Sequence, residues 1–159
     1  MTGATEGPDD REAGPSAPWH RPLRRLRPDD LTGDTTQTAG MRRREAVSGK
    51  TVGSEKLWMG QTHVSPATAS GDHHHGEAET AIYVVSGHPR FVFANGPDEV
   101  VLETEPGDYV FVPPFTPHRE ENPAADEEAV VVIARSTQEG VVVNLASLWA
   151  PVDRGRGTG

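Results

Sequence analysis

Seven short apolar segments, separated by residues that favour turns, constrain the fold of this chain more than any other feature of its sequence. The segments are rich in Val, Ile, Phe and Tyr, which suit the pleated, half-buried surface of a strand. The breaks between them contain Gly, Pro, Asn or Asp, which supply turn dihedrals. The segments lie at 57–64, 81–85, 90–94, 99–103, 108–112, 129–135 and 141–145. This pattern predicts an all-β domain, either a small sandwich or a barrel.

The two ends of the chain differ from its middle in composition. Residues 1–40 contain ten Gly and Pro but only five large apolar residues, too few to offset the entropy lost when such a segment is ordered. We therefore expect a flexible N-terminal arm over 1–40, one domain over 41–150 and a disordered tail over 151–159. The basic stretch at 20–28 could dock a partner protein, although a solvated tail explains the same charges.

Composition also disfavours several classes of protein. The 159 residues include no Cys, which excludes disulfides, thiolate metal sites and a Cys nucleophile. The net charge of −9 argues against a nucleic-acid partner. No apolar run is long enough to span a membrane, and the N-terminus lacks the pattern of a secretory signal. We therefore expect a cytoplasmic protein with neither a membrane nor a nucleic-acid partner.

Three consecutive His residues provide the first candidate for a functional site. On extended backbone, neighbouring side chains point to opposite faces, so His73 and His75 would share one face. Glu79 follows four residues after His75, and imidazole with carboxylate suits first-row metal ions. From these residues alone, a His-rich surface segment with no ligand role explains the pattern equally well.

A second block, PGDYVFVPPFTPHREEN at 106–122, favours the metal site. Together the two blocks resemble the two motifs of the cupin superfamily over about residues 55–150. Phe115 departs from the second motif, which has a Gly at that position. The matching positions are His73, His75, Glu79 and Gly87 in the first motif, and Gly107, Pro113, His118 and Asn122 in the second.

A second departure concerns the carboxylate of the first motif. Seven residues rather than six separate Glu79 from Gly87, so the usual carboxylate position falls on Thr80. Adjacent residues face opposite ways on a regular strand. Either a loop or bulge turns Glu79 inward, or the site consists of three His residues and water.

The resemblance implies a double-sheet jelly roll whose interior holds one divalent metal ion. Zinc is favoured, with iron or manganese as alternatives, because this type of donor set binds several ions. Cupins often form homodimers through an edge strand, and we expect a homodimer here through the segment that contains Trp58 or the segment at 141–145. By the same resemblance, the metal ligands are His73, His75, Glu79 and His118.

Two further side chains are candidates for catalysis. Glu120 should share the face of His118, where it could act as a general base next to the metal, although a solvated carboxylate at the rim is equally possible. Tyr83 should share the face of Glu79 and could orient a substrate through its hydroxyl, with core packing as the alternative.

The cupin scaffold supports several chemistries, so four functions remain open. The favoured one is a metal-dependent tailoring enzyme of secondary metabolism that cyclises or rearranges a small polar metabolite, as polyketide-cyclase-type cupins do. The segments HHHGE and HREEN also resemble the zinc-binding cupin part of hydrazine synthetases, which implies nitrogen–nitrogen bond formation with a separate synthetase-like partner. The alternatives are an iron or manganese dioxygenase, a sugar isomerase and a non-enzymatic small-molecule-binding protein. The net charge of −11 over residues 57–150 weakens the case for a sugar phosphate.

Overall fold

The computed structural model describes residues 21–138 and 140–155, and nearly all regular structure in them is β-strand. The exceptions are a 3-10 helix, Pro28–Asp30, and the single-turn helix α1, Gly49–Val52. The all-β prediction is therefore confirmed. The strands are β1 Met41–Val47, β2 Trp58–Val64, β3 Thr68–Ala69, β4 His73–His74, β5 Thr80–Ser86, β6 Arg90–Asn95, β7 Asp98–Glu103, β8 Tyr109–Val112, β9 His118–Asn122, β10 Ala129–Arg135 and β11 Val143–Asn144.

The strands form two antiparallel sheets, as expected for a double-sheet jelly roll. One sheet has the strand order β1-β2-β10-β5-β8, and the other has the order β11-β4-β9-β6-β7, with β3 paired to β9. Strands that are distant in sequence become neighbours, because β10 inserts between β2 and β5 and β4 pairs with β9. This topology brings the first His block next to the second sequence motif.

Alternation along the first sheet separates an interior face from an exterior one. On β5 the buried side chains include Thr80 and Ile82, and β10 buries every second residue up to Arg135. The apolar members of this face form the main core together with Phe91, which lies on β6 of the second sheet. The members from the first sheet are Trp58, Ile82, Val84, Val112, Val131 and Ile133. The same face also carries Thr80 and Arg135, two polar residues that an apolar core does not explain.

Gly60 makes room for the largest core side chain, Trp58. A Cβ atom on Gly60 would lie 2.6 Å from the Trp58 ring and 2.5 Å from the carbonyl oxygen of Arg44, so only glycine fits. The indole nitrogen of Trp58 donates a 3.1 Å hydrogen bond to the carboxylate of Glu45. Because Trp58 is buried within its own domain, it does not provide the exposed dimer contact that the sequence suggested.

Residues 28–40, which belong to the predicted arm, lie against β1. Thr32 and Glu45 exchange two backbone hydrogen bonds of 3.1 and 2.7 Å. The side-chain amide of Gln37 bonds to both the carbonyl and the N–H of Arg43, at 3.0 and 2.8 Å. This part of the chain is therefore tied to the domain by backbone pairing.

The division of the chain into arm, domain and tail stays a prediction. Residues 1–20 of the predicted arm and 156–159 of the predicted tail lie outside the described residues. Among the residues that the structure does describe, no helix has both the length and the apolar character needed to cross a membrane.

Candidate metal centre

Three His side chains from the two sequence motifs meet inside the domain. His73 on β4 and His118 at the start of β9 are paired across neighbouring strands, and His75 follows β4 directly. The distance between ring centroids is 4.5 Å for His73 and His118, 4.9 Å for His73 and His75, and 5.0 Å for His75 and His118. All three rings are buried. The two motifs therefore converge on one place.

Each of these imidazoles is oriented by a backbone carbonyl on its Nδ1 side. A carbonyl oxygen can only accept a hydrogen bond, so Nδ1 carries the proton and Nε2 keeps its lone pair. Nε2 of His118 is buried and has no hydrogen-bond partner in the described residues. The Nδ1–oxygen distances are 2.8 Å from His73 to Gly71, 2.9 Å from His75 to Val141 and 2.9 Å from His118 to Thr116. Such carbonyl contacts are typical of His residues that bind metal through the other nitrogen.

Glu120 adds a carboxylate to the three imidazoles. It lies two residues after His118 on β9, so both side chains point to the interior. One carboxylate oxygen of Glu120 lies 3.9 Å from Nε2 of His118. A ligand atom from each of the four residues lies within 4.8 Å of the other three. Atoms bound about 2 Å from one ion are at most about 4 Å apart, so a small closure of these side chains completes the site.

Burial and mutual electrostatics set the protonation states of the cluster. Burial lowers the pKa of His118, and it lowers the pKa of His75 to about 4. Burial would raise the pKa of Glu120, but attraction by the His cluster and by Arg43 outweighs it and lowers the pKa of this carboxyl. At neutral pH His75 and His118 therefore present imidazole lone pairs and Glu120 presents a carboxylate, which are the forms that bind metal ions.

This donor set fits one divalent first-row ion. Three imidazoles and a carboxylate suit zinc, iron and manganese. An ion that takes five or six ligands would keep positions free for water or a substrate. Within the described ranges, no second group of three or more potential ligands occurs. The four residues are His73, His75, His118 and Glu120.

Sequence comparison agrees with this geometry. Residues 60–134 match the family model described as a cupin domain. The chain contains a cupin domain. All four residues of the cluster lie inside the matched segment, in the two sequence blocks that carry the motifs.

Solved structures of oxalate decarboxylases share the fold. Against a Bacillus subtilis oxalate decarboxylase, the S161A mutant, the TM-score is 0.60 with 24% identity over 70% of this chain and 30% of that one. A structure from a study of the Mn(II) centres of the same enzyme gives 0.59 and 24% over 70% and 29%. The Lactobacillus farciminis oxalate decarboxylase formate complex gives 0.61 and 18% over 74% and 34%. This chain therefore spans about a third of the length of these relatives, and the likeness concerns the fold. No curated protein sequence matches the chain significantly.

Glu79 does not take the place that the first cupin motif predicts for it. Its side chain is exposed, whereas the next residue, Thr80, is buried at the start of β5. The pairing of β5 with its neighbours is regular at this end, so no bulge turns Glu79 inward. The carboxylate of the cluster comes instead from the second motif, through Glu120. The expectation of Glu79 as a ligand is corrected accordingly.

Tyr83 follows the predicted alternation but lies on the other side of the sheet from the cluster. It shares a face with Glu79, as expected, and that face is the exterior one. Its ring packs against Tyr109, with 4.9 Å between the ring centroids. The structure therefore does not bring Tyr83 to the site, and its predicted contact with substrate is corrected.

Phe115 explains why the second cupin motif has a glycine at its position. The φ angle of Phe115 is +56°, in the left-handed region that glycine adopts readily and a bulky residue adopts at a cost of about 1–2 kcal/mol. Its N–H donates a 2.8 Å hydrogen bond to the carbonyl of Gly76, next to the first motif. The turn before His118 therefore keeps the motif's backbone path without its glycine.

Asn122, the last residue of the second motif, has a structural role in holding two loops. It is buried, and its amide nitrogen lies 3.1 Å from the carbonyl of Val64, 3.3 Å from that of Ser65 and 2.8 Å from that of Glu127. These contacts tie the end of β9 to the two loops beside it. The Asn122 amide is therefore engaged by the backbone of these loops.

Sequence reasoning missed two buried arginines beside the cluster. Arg43 on β1 is 7% exposed and Arg135 on β10 is 6% exposed, and both line a cavity with His75 and Glu120. Arg43 lies before residue 57, outside the acidic segment at 57–150. Alternation with the apolar residue Met41 is the signal that could have placed Arg43 on the interior face.

Proposed function

We propose that this chain is a mononuclear metal enzyme of the cupin fold that acts on a small polar metabolite bound beside its ion. The observation that carries the proposal is the buried cluster of three oriented imidazoles and Glu120. Metal sites with open positions for water or substrate are typical of catalysis, whereas structural sites are usually closed. A cavity bordered by His75 and Glu120 adjoins the cluster, where such a position would be needed.

Manganese and zinc are the two ions that we propose for this site. Zinc agrees with the donor set and with the resemblance to zinc-binding cupins. Manganese is supported to the same degree, because the Bacillus subtilis oxalate decarboxylase with the same fold has Mn(II) centres. Iron is compatible with the same ligands.

A bound divalent ion would supply Lewis-acid chemistry and lower the pKa of a water molecule attached to it. Glu120 is the residue of this chain that can coordinate the ion or accept a proton beside it. Its neighbours hold it in place, because Ser70 accepts a 2.9 Å hydrogen bond from the Glu120 N–H and donates its own N–H to the Glu120 carbonyl at 2.8 Å.

For the reaction, we propose cyclisation or rearrangement of a metabolite in secondary metabolism, with nitrogen–nitrogen bond formation as one form of it. The proposal includes a cytoplasmic homodimer whose N-terminal arm docks a biosynthetic partner protein. A dioxygenase is the second candidate, favoured by the Mn(II) of a relative with the same fold. Oxygen consumption by the manganese-loaded protein, and its absence from the zinc-loaded protein, would support the second candidate over the first.

Elemental analysis of protein purified without chelator tests the metal site directly. We expect one first-row ion per chain, bound by the cluster. His75→Ala and His118→Ala should each lose most of the ion, because each removes one ligand of four. His63→Ala is the matched control, since His63 lies on the exterior face of β2 beside Glu128. Full metal retention in both cluster variants would overturn the proposed function.

A further inference from the structure

We propose, building on the function proposed above, that the substrate is a carboxylate anion held by Arg135 and Thr80 beside the metal cluster. Arg135 lies outside the cupin motifs, and Thr80 occupies the position at which the first motif usually has its carboxylate. The proposal depends on the cavity that they line, on two hydrogen-bond donors without partners, and on the charges buried around them.

The cavity connects the metal cluster to these two residues. His75, Glu120, Thr80, Arg43 and Arg135 all border it. Its volume is about 10 Å³, which is the room that one water molecule or one ligand oxygen needs. The group that enters it must therefore be small, and it must contact the cluster and the arginines together.

A larger cavity next to it provides space for the rest of a substrate. This outer cavity has a volume of about 290 Å³ and borders His73 of the cluster. The two cavities share Thr36, Arg43 and Val142 in their walls. A metabolite in the outer cavity could therefore place one polar group in the inner cavity.

Two adjacent donors in the inner cavity have no acceptor. Thr80 and Arg135 are direct partners across the β5–β10 ladder. Both side chains are buried, and neither Oγ1 of Thr80 nor Nε of Arg135 has a hydrogen-bond partner in the described residues. The guanidinium of Arg135 stacks on Trp58 at 4.0 Å from the ring centroid, which fixes its position. Because buried donors are ordinarily satisfied, this pair indicates where an acceptor from outside the chain binds.

The buried charges favour an anion as that acceptor. In the described part of the chain, the buried charged side chains are Arg43, Glu45, Glu120 and Arg135, whose charges sum to zero. A divalent ion held by neutral imidazoles adds two positive charges to this interior. Buried charge without compensation is unfavourable. A carboxylate would reduce the excess from two positive charges to one, whereas an uncharged substrate would leave it at two.

Arg135 is better suited than Arg43 to contact this carboxylate. Arg43 already donates hydrogen bonds to the carbonyl of Thr36 at 3.1 Å and to the hydroxyl of Thr38 at 2.9 Å. Burial and the neighbouring charge of Arg43 lower the pKa of Arg135 to about 10, so Arg135 stays protonated at neutral pH. An anion between the two guanidinium groups would relieve their repulsion.

Acetate and acetamide are matched probes for this inference, because they have the same shape and differ in charge. Binding to the zinc-loaded protein is followed by NMR titration, and metal content is measured in the same samples. We expect acetate to bind and acetamide to bind at least about tenfold more weakly. Equal binding of the two probes, or no binding of acetate by metal-loaded protein, would overturn the carboxylate assignment.

Three variants separate this inference from the proposed function. Arg135→Met removes the charge but keeps the length of the side chain, and should weaken acetate binding about tenfold or more. Thr80→Val keeps the shape of Thr80 and should weaken acetate binding about three- to tenfold. This variant still tests the inference if Arg135→Met does not fold. Arg42→Met, on the exposed face of β1, should bind acetate as the wild-type protein does.

The two possible failures have different signatures. Loss of acetate binding with metal retained in Arg135→Met and Thr80→Val supports the inference. Unchanged acetate binding in both variants overturns it and leaves the metal enzyme intact. Absence of metal from the wild-type protein would overturn the proposed function itself.

Discussion

Nε2 of His118 and the carboxylate of Glu120 lie 3.9 Å apart, on two residues of β9 that share its interior face. The second cupin motif therefore delivers two members of the metal cluster from a single strand. The first motif delivers His73 and His75, and its own carboxylate, Glu79, points away.

Replacing this carboxylate tests the arrangement. Glu120→Gln removes the negative charge of the cluster at nearly constant shape, and should lower the affinity for a divalent ion roughly tenfold or more. Affinity can be measured by competition with a chelator. Glu79→Gln is the matched control and should bind the ion normally. If Glu79→Gln lost affinity for the ion and Glu120→Gln did not, the result would contradict the structure and identify Glu79 as the ligand.

Asn122→Ala should destabilise the domain without changing the donor set. It removes a buried amide that serves three carbonyl oxygens, and the loss should lower the free energy of unfolding by about 2–3 kcal/mol. Urea denaturation provides the measurement. Asn95→Ala, at the exposed end of β6, should change it by less than about 0.5 kcal/mol. Equal stability of the two variants would show that the Asn122 contacts contribute little.

The metal-free protein should lose stability on mild acidification. The pKa of His75 falls from 6.5 to about 4 on folding, so between these pH values the unfolded chain binds more protons than the folded one. The free energy of unfolding therefore decreases as the pH falls through this range, by on the order of 1–2 kcal/mol at pH 5 for this group. Urea denaturation with chelator at pH 7 and pH 5 measures the difference. A His75→Gln variant should show a smaller difference, and equal stability of the wild-type protein at both pH values would disagree with a buried neutral His75.

If the chain forms the proposed homodimer, the exterior face of the first sheet is a better candidate for the contact than Trp58. Tyr109, 80% exposed, and Phe111 lie on this face beside Tyr83 and Val85. Exposed apolar patches of this kind mark contact surfaces. Tyr109→Asp combined with Phe111→Asp should convert a dimer to a monomer in light scattering, with metal content unchanged. Val101→Asp, at an exposed apolar residue of β7, should leave the dimer intact, and a dimer that survives the double substitution would exclude this face.

Sequence patterns predicted β2, β5, β6, β7, β8 and β10 from local periodicity, although not β1, and the resemblance to the two cupin motifs predicted that the His residues meet. They could not identify the carboxylate of the site. One extra residue between Glu79 and Gly87 left open which of Glu79 and Thr80 faces inward, and only the pairing of β5 with β10 decides in favour of Thr80. Tyr83 could not be placed for the same reason. Alternation shows which residues share a face of the strand, but it does not show which face is the interior one.

The two buried arginines could not be found from motif spacing, because neither belongs to a motif. Arg43 stands among three consecutive arginines, and its inward direction depends on the register of β1 with β2. Arg135 ends an otherwise apolar strand, where sequence alone suggests an exposed residue. Their proximity to Glu120 follows from the packing of the first sheet, which carries β1 and β10, against the second sheet, which carries β9.

The segment that matches the cupin family runs from residue 60 to residue 134, and residues on both sides of it line the inner cavity. Thr36 and Arg43 precede this segment, and Arg135 and Val142 follow it, whereas the four cluster residues lie within it. The four metal ligands and Thr80 are thus encoded within the matched segment, whereas Arg135, the other proposed contact of the substrate, lies in the flanking stretches. Related proteins could retain the matched segment and diversify its flanks, so a transplant of the flanking stretches between homologues is the direct route to exchanging their selectivity.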